Sequence, residues 1–178
     1  MENLIFFKKK TKQWIDDYLI GPIPRQTSIS YTDTGDLTLS YSTSIYSTHT
    51  FSGLTNKLSN YAVITLQIWV PHTYSGDIVV TLTSPGYSGT SIYITNRRGS
   101  SYDDVFDGTL FADSAANSVA TYNFKANGVV TPLKPESPFS TFRGKNPNGQ
   151  WEVDFYDNAS GDNGKVNKLI LTIQGKNF

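Results

Sequence analysis

The stretch Ser100-Ser-Tyr-Asp-Asp-Val-Phe-Asp-Gly places Asp103, Asp104 and Asp107 within five positions, with Asp113 shortly after. Carboxylates gathered this closely repel one another unless solvent or a cation disperses their charge. Calcium, a hard cation that takes several oxygen ligands, suits such a set. Asp103, Asp104, Asp107 and Asp113 are therefore the metal candidates. The simpler reading of the same loop is a solvated turn whose Asp side chains cap backbone amides. Asp157, Asn158, Asp162 and Asn163 form a second oxygen-rich group. There, Gly161 and Gly164 make ordinary turn chemistry the better explanation.

Hydrolytic chemistry finds less to work with. A nucleophilic triad needs Ser, His and a carboxylate brought together with an oxyanion hole. Gly89-Thr90-Ser91 runs straight into Ile92-Tyr93-Ile94, which continues as a strand, and His49 and His72 are the only histidines. A glycosidase needs two carboxylates flanking a sugar. Fifteen acids offer many such pairs by chance, and Glu152 and Asp154 fall on the outward face of one strand. The expectation is a chain that is not an enzyme. With no cysteine there is no disulfide, thiolate zinc site or cysteine nucleophile. Two histidines make a catalytic zinc a poor fit. The formal net charge of zero and the isolated pair Arg97-Arg98 give no pull toward nucleic acid. No apolar run approaches the roughly 20 residues of a membrane-spanning helix. Leu4–Phe7 is followed, not preceded, by Lys8–Lys10, so the expectation is synthesis without a secretion leader.

The elements that must position these residues are strands. Thr, Tyr, Phe, Val and Ile suit a pleated surface. In the segment 146–175, Trp151, Val153 and Phe155 alternate with Glu152, Asp154 and Tyr156. A Gly/Asn/Asp corner follows, and then Leu169, Leu171 and Ile173 alternate in turn. The period of two predicts a half-buried hairpin. Further strands are expected at Ser28–Thr32, Leu37–Tyr41, Tyr61–Val70, Asp77–Thr83, Thr90–Thr95 and Val119–Phe124, with residues 126–149 as an irregular crossover. Tyr31, Tyr41, Tyr46, Tyr87, Tyr93 and Tyr102 read as core or rim residues, with a sugar- or partner-binding patch as the alternative. The fold expected is all-β: a jelly-roll-like antiparallel β-sandwich over residues 27–178 with an N-terminal extended or short-helix arm, residues 1–26. The arm is formally +2 and the remainder −2. Trp14–Ile20 allows about two helical turns before Gly21-Pro22. Leu4, Ile5, Phe6, Phe7 and Trp14 are the candidate partner-binding residues of that arm.

Two blocks carry a resemblance. Ile64–Ser84, reading ITLQIWVPHTYSGDIVVTLTS, runs into Pro85 and Gly89-Thr90-Ser91, and Asn146-Pro-Asn-Gly-Gln-Trp leads to Asp157-Asn-Ala-Ser-Gly-Asp-Asn-Gly. Over roughly residues 38–175 the chain resembles the P domain (Homo B domain) of proprotein convertases and bacterial subtilisin-like proteases. The resemblance implies a jelly-roll sandwich that follows a serine-protease domain and stabilises it, often with bound calcium, and has no catalytic residues of its own. Leu169 stands where that family usually has a tryptophan. The 37 residues before residue 38 are too few for a protease domain, so the expectation is a P-domain-like module without one. The function expected is a non-catalytic structural or interaction module anchored by its arm in a larger protein assembly, such as a viral or phage virion (a capsid decoration, fibre or tail protein). The alternatives are an accessory P domain of a secreted subtilisin-like protease, and a carbohydrate- or cell-surface-binding adhesion module. The corresponding locations are virion- or assembly-associated, or extracellular.

Overall fold

A computed structural model of the chain describes residues 25–177 apart from 55 and 88. Residues 1–24 of the anticipated arm, with Leu4, Ile5, Phe6, Phe7 and Trp14, lie outside the described residues, while Arg25 and Gln26 belong to the first strand. Twelve strands are present among them: β1 (Arg25–Asp33), β2 (Leu37–Leu39), β3 (Ser44–Phe51), β4 (Val63–Val70), β5 (Ile78–Thr83), β6 (Ser91–Asn96), β7 (Phe106–Ala112), β8 (Asn117–Ser118), β9 (Leu133–Lys134), β10 (Gly149–Asp157), β11 (Gly164–Val166) and β12 (Lys168–Asn177). One sheet has the order β1-β12-β4-β7-β9-β8, the other β3-β10-β5-β6, and β11 pairs with β2 in a small third ladder. The long neighbours pair antiparallel, while β9 runs parallel to β7 and β8. This is the expected all-β sandwich.

The inward faces follow the period of two. Trp151, Val153 and Phe155 on β10 are fully buried opposite Leu171 and its neighbours from the other sheet. Trp151 keeps its indole N–H satisfied by donating to the Pro147 carbonyl at 2.8 Å, and its ring meets Phe142 edge-on at 4.9 Å. A buried indole needs such a partner.

Three expectations are corrected. The segment 146–175 is not a hairpin: β10 pairs with β3 and β5, whereas β12 pairs with β1 and β4. The corner at 158–163 therefore carries the chain from one layer to the other. Alternation within a strand fixes which face is buried but not which strand lies beside it. Val119–Phe124 is a turn, closed by Tyr122 N–H donating to the Ser118 carbonyl, with Phe124 packed edge-on against Phe106. Finally, β3 and β7 were not foreseen. On β3 the inward positions are Ser47, His49 and Phe51, and on β7 they include Thr109. Polar residues in core positions hide the apolar rhythm.

Leu169 is buried in register with Ile68, and the space beside it is closed by Leu37, Ile45 and Val166, leaving a hollow of about 10 Å³. An indole cannot enter a void of that size without displacing its walls. Leu169→Trp is expected to lower stability by about 1–3 kcal/mol through overpacking, seen as a lower urea midpoint; a higher midpoint would show that the hollow accommodates the ring.

Candidate functional site

The chemistry-bearing side chains collect at the end of the sandwich where the Ser75–Asp77 turn, the acidic loop and the 158–163 corner meet. His72 follows directly on β4 and is buried. Its Nδ1 accepts the Tyr74 backbone N–H at 3.1 Å, which puts the ring proton on Nε2, and Nε2–H donates to Asp157 Oδ2 at 3.4 Å. Asp157 ends β10 and accepts Ala159 N–H on its other oxygen at 3.1 Å. A Cβ at Gly164 would collide with the His72 ring, so the corner's last residue must be glycine. The imidazole and carboxylate thus join the two sheets.

The four candidate metal ligands do not gather. Asp104 Oδ1 accepts His72 N–H at 2.9 Å, and Asp107 beside it is raised above the usual carboxylate range by burial first and by the Asp104 charge second. Asp103 accepts the Asn127 side-chain amide at 3.3 Å. Asp113 accepts Phe139 N–H and Ser140 N–H at 2.8 and 2.9 Å and caps the short 3₁₀ turn there. Asp107 and Asp113 stand at opposite ends of β7, and six residues of strand span about 20 Å. Among the described residues no three His, Cys, Asp or Glu side chains converge to hold a metal ion.

A second carboxylate group assembles around Asp77, which is 5% exposed and closes the 3₁₀ turn before β5. Burial foremost, then the Asp157 charge, hold Asp77 above the usual carboxylate range; His72 pulls the other way, Asp162 adds to the rise, and Arg97 opposes it least. An open cleft of about 640 Å³ lies over it, walled by Tyr74, Asn96, Arg97, Ser100 and Asp162. Arg98, also on the wall, is committed to a two-pronged pairing with Glu136 at 2.8 and 3.2 Å, and that hydrogen bonding keeps the guanidinium protonated. The sequence puts Asp77 and Asp157 in different blocks, and only the meeting of the two sheets brings them together.

A Ser–His–Asp grouping exists elsewhere, with the wrong connectivity for catalysis. Ser47 Oγ–H donates to Asp33 at 2.6 Å and receives the His49 Nε2–H at 2.7 Å. Serine therefore sits between the other two, whereas a nucleophile needs histidine in the middle to take its proton. His49 is 3% exposed, Ser47 is buried, and the Tyr31 ring covers the imidazole at 3.6 Å. The grouping ties β1 to β3.

Most of the singled-out tyrosines face water: Tyr31, Tyr41, Tyr46, Tyr87 and Tyr93 are exposed, and Tyr102 alone of the six packs on the core. Tyr46, Asp154, Thr81 and Tyr93 form one row across the outer face of the four-stranded sheet.

The family described as the proprotein convertase P-domain matches residues 61–173. The chain belongs to that family. The P-domain match begins after β3, yet β1 and β3 flank β12 and β10, so residues 25–51 complete both sheets. Two proteins named calcium-dependent protease, from Trichormus variabilis and a Nostoc species, are 30% and 29% identical over 111 residues. The aligned segment covers 62% of this chain and 13% of theirs, so this P domain spans a small part of those relatives' length. The serine protease of Aeromonas sobria, solved alone and with a chaperone, shares the fold. Its TM-scores are 0.52 and 0.54 at 15% and 14% identity, over 86% and 88% of this chain and 28% of the protease chain in each case.

His49 gives the P domain a predicted acid sensitivity. Burial foremost holds its pKa below the ordinary 6.5, with the Asp33 charge pulling the other way. The folded state therefore binds this proton more weakly than the unfolded state. The stability contributed is complete above pH 6.5 and is lost as pH falls through the lower folded value. The wild type should lose melting temperature more steeply than His49→Gln from pH 6.5 downward; parallel curves would exclude His49 as the cause.

Proposed function

We propose that this chain is a non-catalytic accessory module of a subtilisin-like serine protease, which it packs against and stabilises. The P-domain match over residues 61–173 carries this reading. The virion reading rested on the lack of a protease domain in the residues before the sandwich. Relatives in which the corresponding segment is 13% of a protease remove its main support. The polar groupings fit a module without chemistry of its own, since His72 is buried with its partner Asp157, and Ser47 and His49 are buried with the half-buried Asp33 as theirs. On this reading the arm residues Leu4, Ile5, Phe6, Phe7 and Trp14 add apolar contact to the protease, at about 25 cal/mol per Å² buried before ordering costs.

The test is to add the full chain to the subtilisin-like catalytic domain encoded in the same genome and follow thermal inactivation. At a concentration 100-fold above Kd, binding stabilises the protease by about 2.7 kcal/mol, and its inactivation midpoint should rise accordingly. An unchanged midpoint at saturating concentration would contradict the proposal.

Calcium enters as a second, separable proposal, on the relatives' names and on the close Asp104–Asp107 pair. The set of four aspartates does not fit one ion, because Asp113 caps a turn at the far end of β7. Asp104 and Asp107 would need backbone and water oxygens to complete a shell. Calcium should raise the melting temperature of an EDTA-treated sample, and less so in Asp107→Asn; no response to either reagent would leave the acidic loop as a turn.

A further inference from the structure

Asp77 poses an electrostatic problem that the described fold leaves open. Its backbone is fully used, with N–H donating to the Tyr74 carbonyl and C=O accepting Asn158 N–H. Its carboxylate has no ion pair within 4.0 Å among the described residues. The polar partners of this region go elsewhere: His72 Nε2–H donates to Asp157, and Arg98 pairs with Glu136. Asp162, on the same cleft, accepts one hydroxyl bond from Thr73 at 3.1 Å and is otherwise open to the cleft. A largely buried carboxylate beside two others, facing a cleft, is better served by a proton or a cation than by standing bare.

We infer that the cleft over Asp77 receives a guanidinium group, an arginine side chain of the protein partner on which this P domain packs. Three observations favour that occupant. The carboxylates of Asp77 and Asp162 come from separate segments but line the same cleft. The planar fork of a guanidinium carries five donors and spans two such acceptors, where a compact ammonium meets one. Tyr74, 37% exposed, lines the same cleft and supplies an aromatic ring on which a flat cation can stack. The acids also fail to converge to the spacing of a metal ion, which leaves a broader cation as the better match. Arg97 is on the wall in the left-handed conformation, with φ at 57°, and its pull on Asp77 is the weakest of those that act on it. It does not neutralise the site. The volume of about 640 Å³ admits a whole side chain.

The identity of the partner rests on the accessory reading above, but the site can be tested without any protease. The probe is Nα-acetyl-arginine amide, titrated into the ¹⁵N-labelled full chain and followed by amide chemical shifts. Nα-acetyl-citrulline amide is the uncharged isostere. The expected result is saturable shifts at Asn96, Ser100, Ala159 and Ser160 with the arginine probe and none at the same concentration of citrulline. Asp77→Asn should weaken binding at least tenfold. Asp162→Asn, which leaves the buried position intact, should weaken it several-fold if the first variant does not fold. Asp103→Asn, outside the cleft, should change nothing. No saturable shift, equal shifts with citrulline, or full binding in both cleft variants would overturn the inference. So would calcium chloride moving the same amides, which would make the site one for a metal. Failure here with a protease that is still stabilised would remove the site and leave the accessory reading standing.

Discussion

The contact on which this architecture turns is the one between His72 and Asp157. His72 lies two residues beyond β4, a strand of the six-stranded sheet, and Asp157 is the last residue of β10 in the four-stranded sheet. Both side chains have no exposure. Each has further partners that fix its orientation: Tyr74 N–H on the imidazole and Ala159 N–H on the carboxylate. Buried polar groups are costly unless satisfied, and satisfied ones specify a single arrangement. Here the arrangement they specify is how the chain leaves one layer and enters the other. The corner at 158–163, the absence of a Cβ at Gly164 and the entry of Asp104 onto His72 N–H all follow from it.

The same economy recurs between β1 and β3. Ser47, His49 and Asp33 form a chain of hydrogen bonds between edge strands of different sheets. Residue types that serve catalysis in other proteins are used here as cross-links between layers. This suits the non-catalytic accessory module proposed above, which would contribute a stiff surface and no reactive group of its own. Around Asp77, by contrast, a carboxylate faces the cleft without an ion pair among the described residues.

How much of this could be read from the amino-acid order depended on what filled the inward positions. Where they were Trp151, Val153, Phe155, Leu169, Leu171 and Ile173, the strands and their buried faces were legible. Where they were Ser47, His49 and Thr109, the strands were invisible, because hydroxyls and imidazoles in a core look like surface to a hydrophobic pattern. Val119 and Phe124 misled in the opposite sense: both are buried, but from a turn. Clustering along the chain was a poor guide to clustering in space. Asp103, Asp104, Asp107 and Asp113 are neighbours in sequence yet are pulled to separate duties by a strand that holds its ends apart. Asp77 and Asp157, 80 positions distant in numbering, influence each other directly. The family blocks around His72 and Asp157 were legible as a resemblance, though not as two halves of one contact.

A double-mutant cycle on His72→Asn and Asp157→Asn, measured by urea unfolding, tests most directly whether these groups hold the layers together. Removing one member of a buried, hydrogen-bonded pair strands the other, so each single substitution should cost about 3–5 kcal/mol. The double substitution should cost less than their sum by more than about 1 kcal/mol, the mark of direct coupling. Strict additivity, or two single variants as stable as the wild type, would contradict the role assigned to this pair.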